Sequence, residues 1–162
     1  MGPDELIDEW RRGLRISHRA HYEAAKYYHR QHLALTLPTV IISALLGTSV
    51  FANLQYADVA LIKISMSILS LATVALTSVQ GFLRSAERSE RHKTAAVQIG
   101  EVRRALEQQL VFTHRDEPTI ATLRKKWDAA DRQAPTIPSR IYDRAAALVR
   151  SLGDRPAGQQ PN

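Results

Sequence analysis

LALTLPTVIISALLGTSVFA, residues 33–52, and ISMSILSLATVALTSVQGFL, residues 64–83, each run for 20 residues without an Asp, Glu, Lys, Arg or His. At about 1.5 Å of rise per residue, such a helix spans a hydrocarbon core roughly 30 Å thick, with its backbone amides satisfied internally. A soluble helix of this length keeps charge on one face, and neither run has any. The pair reads as a membrane hairpin. The second run is the less apolar of the two, because Ser65, Ser67, Ser70, Thr73, Thr77, Ser78, Gln80 and Gly81 share it with the large aliphatics. Each aliphatic favours insertion by only a few tenths of a kcal/mol, so this run leans on the first helix or on neighbouring copies.

The rest of the chain partitions around the hairpin into a polar head and a polar tail, so a slightly negative mean hydropathy conceals an apolar middle. The 162 residues form one membrane module, and the absence of cysteine excludes disulfides, thiol nucleophiles and thiolate zinc sites. The net charge of +6 is asymmetric. Arg11, Arg12, Arg15, Arg19, Lys26 and Arg30 precede the first span, and Arg84, Arg88, Arg91 and Lys93 follow the second. The intervening segment, residues 53–63, carries only Lys63 against Asp58. By the positive-inside rule both termini are expected in the cytoplasm, with Arg84, Arg88 and Arg91 forming a basic ring at the inner interface.

Helical periodicity continues outside the spans. In the head, residues 1–31, Ile7, Trp10, Leu14, Ser17, His21, Ala24 and Tyr28 recur at spacings of three and four on one face. Pro38 falls in the first turns of the first span, where a missing amide costs least, and the helix is expected to begin or bend there. After Leu83 no proline or glycine stop appears, so the second span is expected to run on as one long helix through residues 84–113. Ala95, Ile99, Val102, Leu106 and Leu110 form its apolar stripe. Pro118 opens a short helix over residues 118–132 with Ile120, Leu123, Trp127 and Ala130 inward. After the Pro135-Thr136-Ile137-Pro138 break, Ser139 is the expected cap of a last helix, residues 139–152. Residues 153–162 read as a disordered tail.

Two features of the spans suggest contacts. Ser43 and Gly47 form a small-x-x-x-small pair suited to close helix–helix approach. On the second span, Ser67, Ser70, Val74, Thr77 and Gly81 share one face, while Ile68, Leu69, Ala72, Leu76, Val79 and Leu83 fall opposite and suit lipid. The hydroxyl-bearing face, with candidate residues Ser67, Ser70, Thr77 and Gly81, has two readings. Small and hydroxylated residues pack membrane helices together, and they also line water-filled paths in oligomers.

The chain carries no recognisable catalytic motif. The sequence shows no phosphate-cradling glycine loop, nucleophile elbow or H-E-x-x-H motif. His18 with His21, and His29 with His32, could each share a helix face, but no third ligand accompanies them. No enzyme activity, metal or cofactor is expected. The arginines flank the apolar runs as topology signals do, so nucleic acid is not the expected partner.

The chain resembles the SLATT family, the SMODS- and SLOG-associating two-transmembrane effector domains. The resemblance rests on Trp10-Arg11-Arg12 with Ala20-His21-Tyr22-Glu23-Ala24-Ala25-Lys26, and on Ile42-Ser43-Ala44 with Gly47-Thr48-Ser49-Val50-Phe51-Ala52. It rests further on Phe82-Leu83 with Glu87-Arg88 and Glu90-Arg91-His92-Lys93, and on Pro135-Thr136-Ile137-Pro138. It covers about residues 8–145. The chain reads as an all-α membrane protein, a two-transmembrane helical hairpin with a cytoplasmic helical bundle formed by both termini, and the resemblance implies a place in the inner membrane of a bacterium. It further implies an effector of a nucleotide-second-messenger, anti-phage conflict system that oligomerises to form a pore or disrupt the membrane. The implied partners are the lipid bilayer, further copies of the chain, and a nucleotide-sensing or nucleotidyltransferase protein. The alternative reading is a non-conducting membrane anchor or scaffold that recruits a cytoplasmic signalling partner.

Overall fold

A computed structural model of the chain describes residues 2–53, 60–111 and 117–153. Among these residues there are five helices and no strand: α1 (Pro3–Asn53), α2 (Ala60–Leu83), α3 (Ser85–Val111), α4 (Glu117–Gln133) and α5 (Ser139–Gly153). They fall into two compact units. One comprises Met1–Tyr27 with Arg88–Asn162, and the other comprises Tyr28–Glu87.

Local chemistry accounts for the first helix end. The Leu6 amide donates to the Gly2 carbonyl, which makes Gly2 the N-cap and puts Pro3 at the first helical position, where its missing amide hydrogen is harmless. Glu5 reaches back to accept from the Gly2 amide at 2.9 Å, half of a capping box. From there α1 runs unbroken through residues 31–33 and through Pro38, so the head and first span are one helix and Pro38 does not begin it.

α2 opens at Ala60, which shortens the connection expected over residues 53–63; the remainder of that connection lies outside the described residues. α2 and α3 are separate helices, contrary to the single long helix expected. Arg84 adopts φ of 47°, in the left-handed region, and its amide donates to the Gln80 carbonyl at 3.1 Å. That single bond from the residue after the helix to the fourth-last carbonyl is an αL C-cap, a position that glycine usually fills. No glycine signals it here, so the pattern around Leu83 read as continuous. At α5 the Pro138 carbonyl accepts from the Ile141 and Tyr142 amides, which makes Pro138 the cap and moves Ser139 to the first helical position. The expected tail at residues 153–162 lies, but for Gly153 at the end of α5, outside the described residues.

The bundle unit has one core. Leu14 of α1, Ile99, Val102 and Leu106 of α3, and Leu123 and Ala130 of α4 cluster together, with Trp10, Ala105, Leu110 and Trp127 packed against them. These are the faces read from periodicity, and Ile7, His21 and Ala24 are buried as that reading requires. Gly13, which weakens a helix by intrinsic propensity, has a packing reason. A Cβ there would stand 3.1 Å from the Trp127 ring, so any larger residue requires the ring to give by a few tenths of an ångström. The Arg124 guanidinium lies 4.9 Å from the Trp10 ring centroid and 5.0 Å from that of Trp127. Its Nε also pairs with Asp128 at 3.1 Å.

Candidate functional site: the free face of the membrane hairpin

Within the hairpin unit, the contact between α1 and α2 uses a face of α2 other than the hydroxyl stripe. The half-buried residues of α2 include Met66, Leu69, Thr73, Leu76, Gln80 and Leu83, at alternating spacings of three and four. Those of α1 include Leu35, Thr39, Ile42 and Leu46, with the same alternation. Two apolar-rich seams of this period pack side by side as in a coiled coil. Leu69, Leu76 and Leu83, expected to face lipid, therefore form part of the seam.

One polar side chain fixes the register. Gln80 Nε2 donates to the Leu35 carbonyl at 2.8 Å and to Thr39 Oγ1 at 2.8 Å, while Thr39 Oγ1 itself donates to the same Leu35 carbonyl at 2.8 Å. The location follows from Pro38. Proline interrupts the i to i−4 ladder and crowds the preceding turn, so carbonyls there gain from extra donors. The Leu35 carbonyl receives two, one from Gln80 of α2 and one from Thr39. Close by, Ser85 Oγ donates to Gln31 Oε1 at 3.2 Å.

Ser67, Ser70, Thr77 and Gly81 are all exposed in the single chain. Taking about 100° per residue, their stripe lies roughly a quarter-turn around α2 from the seam. Ser67 donates to the Lys63 carbonyl at 2.9 Å and Thr77 to the Thr73 carbonyl at 2.8 Å. Thr73 and Ser78 likewise donate to Leu69 and Val74 carbonyls. Each hydroxyl so bonded keeps acceptor capacity on its oxygen while its proton is satisfied by its own helix. Beside the upper stripe, an open groove of about 560 Å³ is lined by Leu46 of α1 and by Met66, Ser67, Ser70, Leu71 and Val74 of α2.

The small pair on α1 also faces outward. Ser43 is exposed, and a Cβ on Gly47 or Gly81 would meet nothing within 4 Å. In the hairpin itself these positions bring no helices together. The basic ring is exposed as well: Arg84 sits at the break between helices and pairs with Glu87 at 3.8 Å, while Arg88 and Arg91 lie on α3. Gln80 and Arg84 are the residues whose roles composition concealed. A glutamine at the period of the seam was the signal for the first; the second had none.

In the bundle unit, His21 and His92 meet across α1 and α3 with Nδ1 to Nδ1 at 3.0 Å and ring centroids 5.3 Å apart. Both rings are buried, at 2% and 1% exposure. One ring must donate and the other accept, so one Nδ1 carries a proton and the other does not. Burial, then the neighbouring His92, pushes the His21 pKa down to about 4. Burial, then Arg88, lowers that of His92. Among the described residues no three His, Asp or Glu side chains converge to hold a metal ion. The pairs His18 with His21 and His29 with His32 do not form sites: His21 is committed to His92, and His32 bonds Thr36 at 3.3 Å.

No curated protein and no solved structure matches the chain. A family profile does, that of SMODS and SLOG-associating 2TM effector domain family 4, over residues 4–146. The match takes in the hairpin and most of the helices around it. With two helices long and apolar enough to cross a bilayer, the chain is an all-helical membrane protein and belongs to this family of two-transmembrane effector domains.

Proposed function

We propose that the chain is a membrane-permeabilising effector of an anti-phage conflict system, whose copies assemble in the bacterial inner membrane with the hydroxyl face of α2 turned toward a water-filled path. The observation that carries this reading is the division of labour on α2. The hairpin seam occupies Leu69, Thr73, Leu76 and Gln80, while Ser67, Ser70, Thr77 and Gly81 stay exposed. A polar stripe left out of the hairpin has two fates in a bilayer: lipid, where it is wasted, or another copy. One hairpin cannot enclose water, so conduction requires several copies around an axis. The backbone-bonded hydroxyls present oxygens to that axis, and the open groove beside Ser67 and Ser70 gives a neighbouring helix a place to seat.

In this arrangement Ser43 and Gly47 of α1 form contacts between copies. Arg84, Arg88 and Arg91 ring the cytoplasmic mouth, with both termini on that side, and a nucleotide-sensing or nucleotidyltransferase partner supplies the trigger. The family's association with SMODS and SLOG proteins supports a partner of this kind.

The test is ion release from anionic-lipid liposomes loaded with the purified chain. Wild type is expected to leak with a steep dependence on protein density, and Ser70→Leu with Thr77→Leu is expected to abolish leakage while insertion persists. Insertion without leakage by wild type, with partner and nucleotide supplied, would leave the non-conducting anchor as the reading.

A further inference from the structure

α1 and α3 run antiparallel in the bundle unit. Ala25 accepts from Ser89, His21 meets His92, His18 lies against Gly100, and Arg15 pairs with Glu107, so numbers fall on one helix as they rise on the other. Along one edge of this pair, basic side chains accumulate well beyond the acidic ones. α1 contributes Arg11, Arg15, His18 and Arg19, and α3 contributes Arg103 and Arg104. Two carboxylates beside them are already engaged: Glu107 with Arg15 at 3.1 Å and Glu23 with Arg19 at 3.2 Å. Among the described residues, Arg11, Arg103 and Arg104 have no carboxylate partner.

Two independent observations show that packing alone does not explain this edge. The Nε atoms of Arg11 and Arg103 are buried and have no hydrogen-bond partner. A buried guanidinium donor left unpaired is costly, and buried polar groups are otherwise almost always bonded. Gly100, meanwhile, makes room for an imidazole. A Cβ there would stand 2.9 Å from His18 Cδ2, 3.1 Å from Nε2 and 3.4 Å from an Arg104 amino nitrogen. The His18 ring is thus laid across α3 beside Arg104. Burial, then Arg103, Arg104 and Arg19, lowers its pKa, the response of a titratable group in a strongly positive field.

From these observations we infer that the α1–α3 edge, at His18, Arg103 and Arg104, is a binding site for a small phosphate-bearing anion. Guanidinium forks match phosphate oxygens in two-point geometry, and buried, unpaired donors become an asset only when an acceptor arrives. The anion neutralises the clustered charge, satisfies the orphaned Arg103 Nε, and accepts from His18. The site lies wholly within the bundle unit and does not depend on whether the hairpin conducts.

The experiment uses the full chain in phosphatidylcholine nanodiscs with ¹⁵N-labelled histidine, with pyrophosphate as the probe at constant ionic strength. Saturable binding is expected, with the His18 imidazole resonance shifting and its titration midpoint moving to higher pH. Arg103→Gln with Arg104→Gln is expected to weaken binding about tenfold or more. Glu107→Gln, which releases Arg15, is expected to tighten it. A second arm without pyrophosphate uses nanodiscs containing phosphatidylglycerol. The same His18 shift there identifies a lipid headgroup as the source of the phosphate, and its absence there with binding in the first arm identifies a free anion. Either result supports the site. An unmoved His18 in both arms overturns it, as does pyrophosphate affinity unchanged by Arg103→Gln with Arg104→Gln in a protein of wild-type circular dichroism. Affinity that fails to rise in Glu107→Gln also counts against it, whatever the fate of the double variant.

Discussion

Acid should loosen the bundle through the His21–His92 contact, and its size can be worked out. In the folded chain His21 stays neutral down to about pH 4, whereas in the unfolded chain it takes a proton near its ordinary value of 6.5. Between those values the unfolded state binds more protons, so stability falls as pH falls. Above 6.5 the contribution is fully present, and below about 4 this group causes no further loss. One pKa unit corresponds to about 1.4 kcal/mol, so the whole window is worth about 3 kcal/mol, a large part of the stability of a domain this size. His92, whose pKa is also lowered, adds a loss of the same sign. The assay is thermal melting of the detergent-solubilised chain, followed by circular dichroism between pH 7.5 and 4. The comparison is the double variant His21→Leu with His92→Leu, which replaces both partners by apolar groups and so leaves neither unpaired. Carboxylates and His18 titrate in both proteins, so the difference isolates the pair. Wild type should lose at least about 3 kcal/mol more than the double variant over the window, the His21 share plus that of His92. Equal slopes, or a His21 resonance that titrates near 6.5, would refute the reasoning.

Three further outcomes follow from particular contacts. Gln80→Leu removes two donors from the turn around Pro38 and should destabilise the hairpin by about 0.6 to 1.7 kcal/mol, read by steric-trap or detergent-denaturant unfolding; no change would mean the Leu35 carbonyl needs no partner. Arg84→Gly should stabilise the chain by about 1 kcal/mol, since glycine adopts φ near 47° without strain; were α2 and α3 continuous, the same change would destabilise by a similar amount. Gly13→Ala drives a methyl to 3.1 Å from Trp127 and should lower the melting temperature, with a loss of about 1 to 3 kcal/mol and a red-shifted Trp emission.

The sequence carried the fold a long way for physical reasons that individual residues show. Uncharged runs of 20 residues permit few structures other than a membrane span, and the spacing of Leu14, Ile99, Leu106 and Leu123 permits few faces other than the buried ones. What stayed hidden was partner identity. Leu69 and Ser70 are both plausible lipid-facing or helix-facing residues, because inside a bilayer hydrophobicity does not distinguish a protein neighbour from an acyl chain. The assignment of the seam turned on Gln80 reaching the turn of Pro38, a contact 45 residues apart that no periodicity encodes. The break at Arg84 stayed hidden because an arginine occupies a conformation that glycine normally announces. The basic edge of the bundle was legible only as excess arginine, since its meaning depends on which carboxylates are already paired.

In the proposed assembly, water reaches the hydroxyl face of α2 and not the faces beside it. The chain has no cysteine, so single cysteines can be placed without background. In liposomes under leaking conditions, a membrane-impermeant charged thiol reagent should modify Ser70→Cys and Thr77→Cys, reduce ion flux, and leave Leu71→Cys and Val79→Cys unmodified. Modification of Leu71→Cys and Val79→Cys in place of Ser70→Cys and Thr77→Cys, or of none of the four while ions still pass, would contradict it.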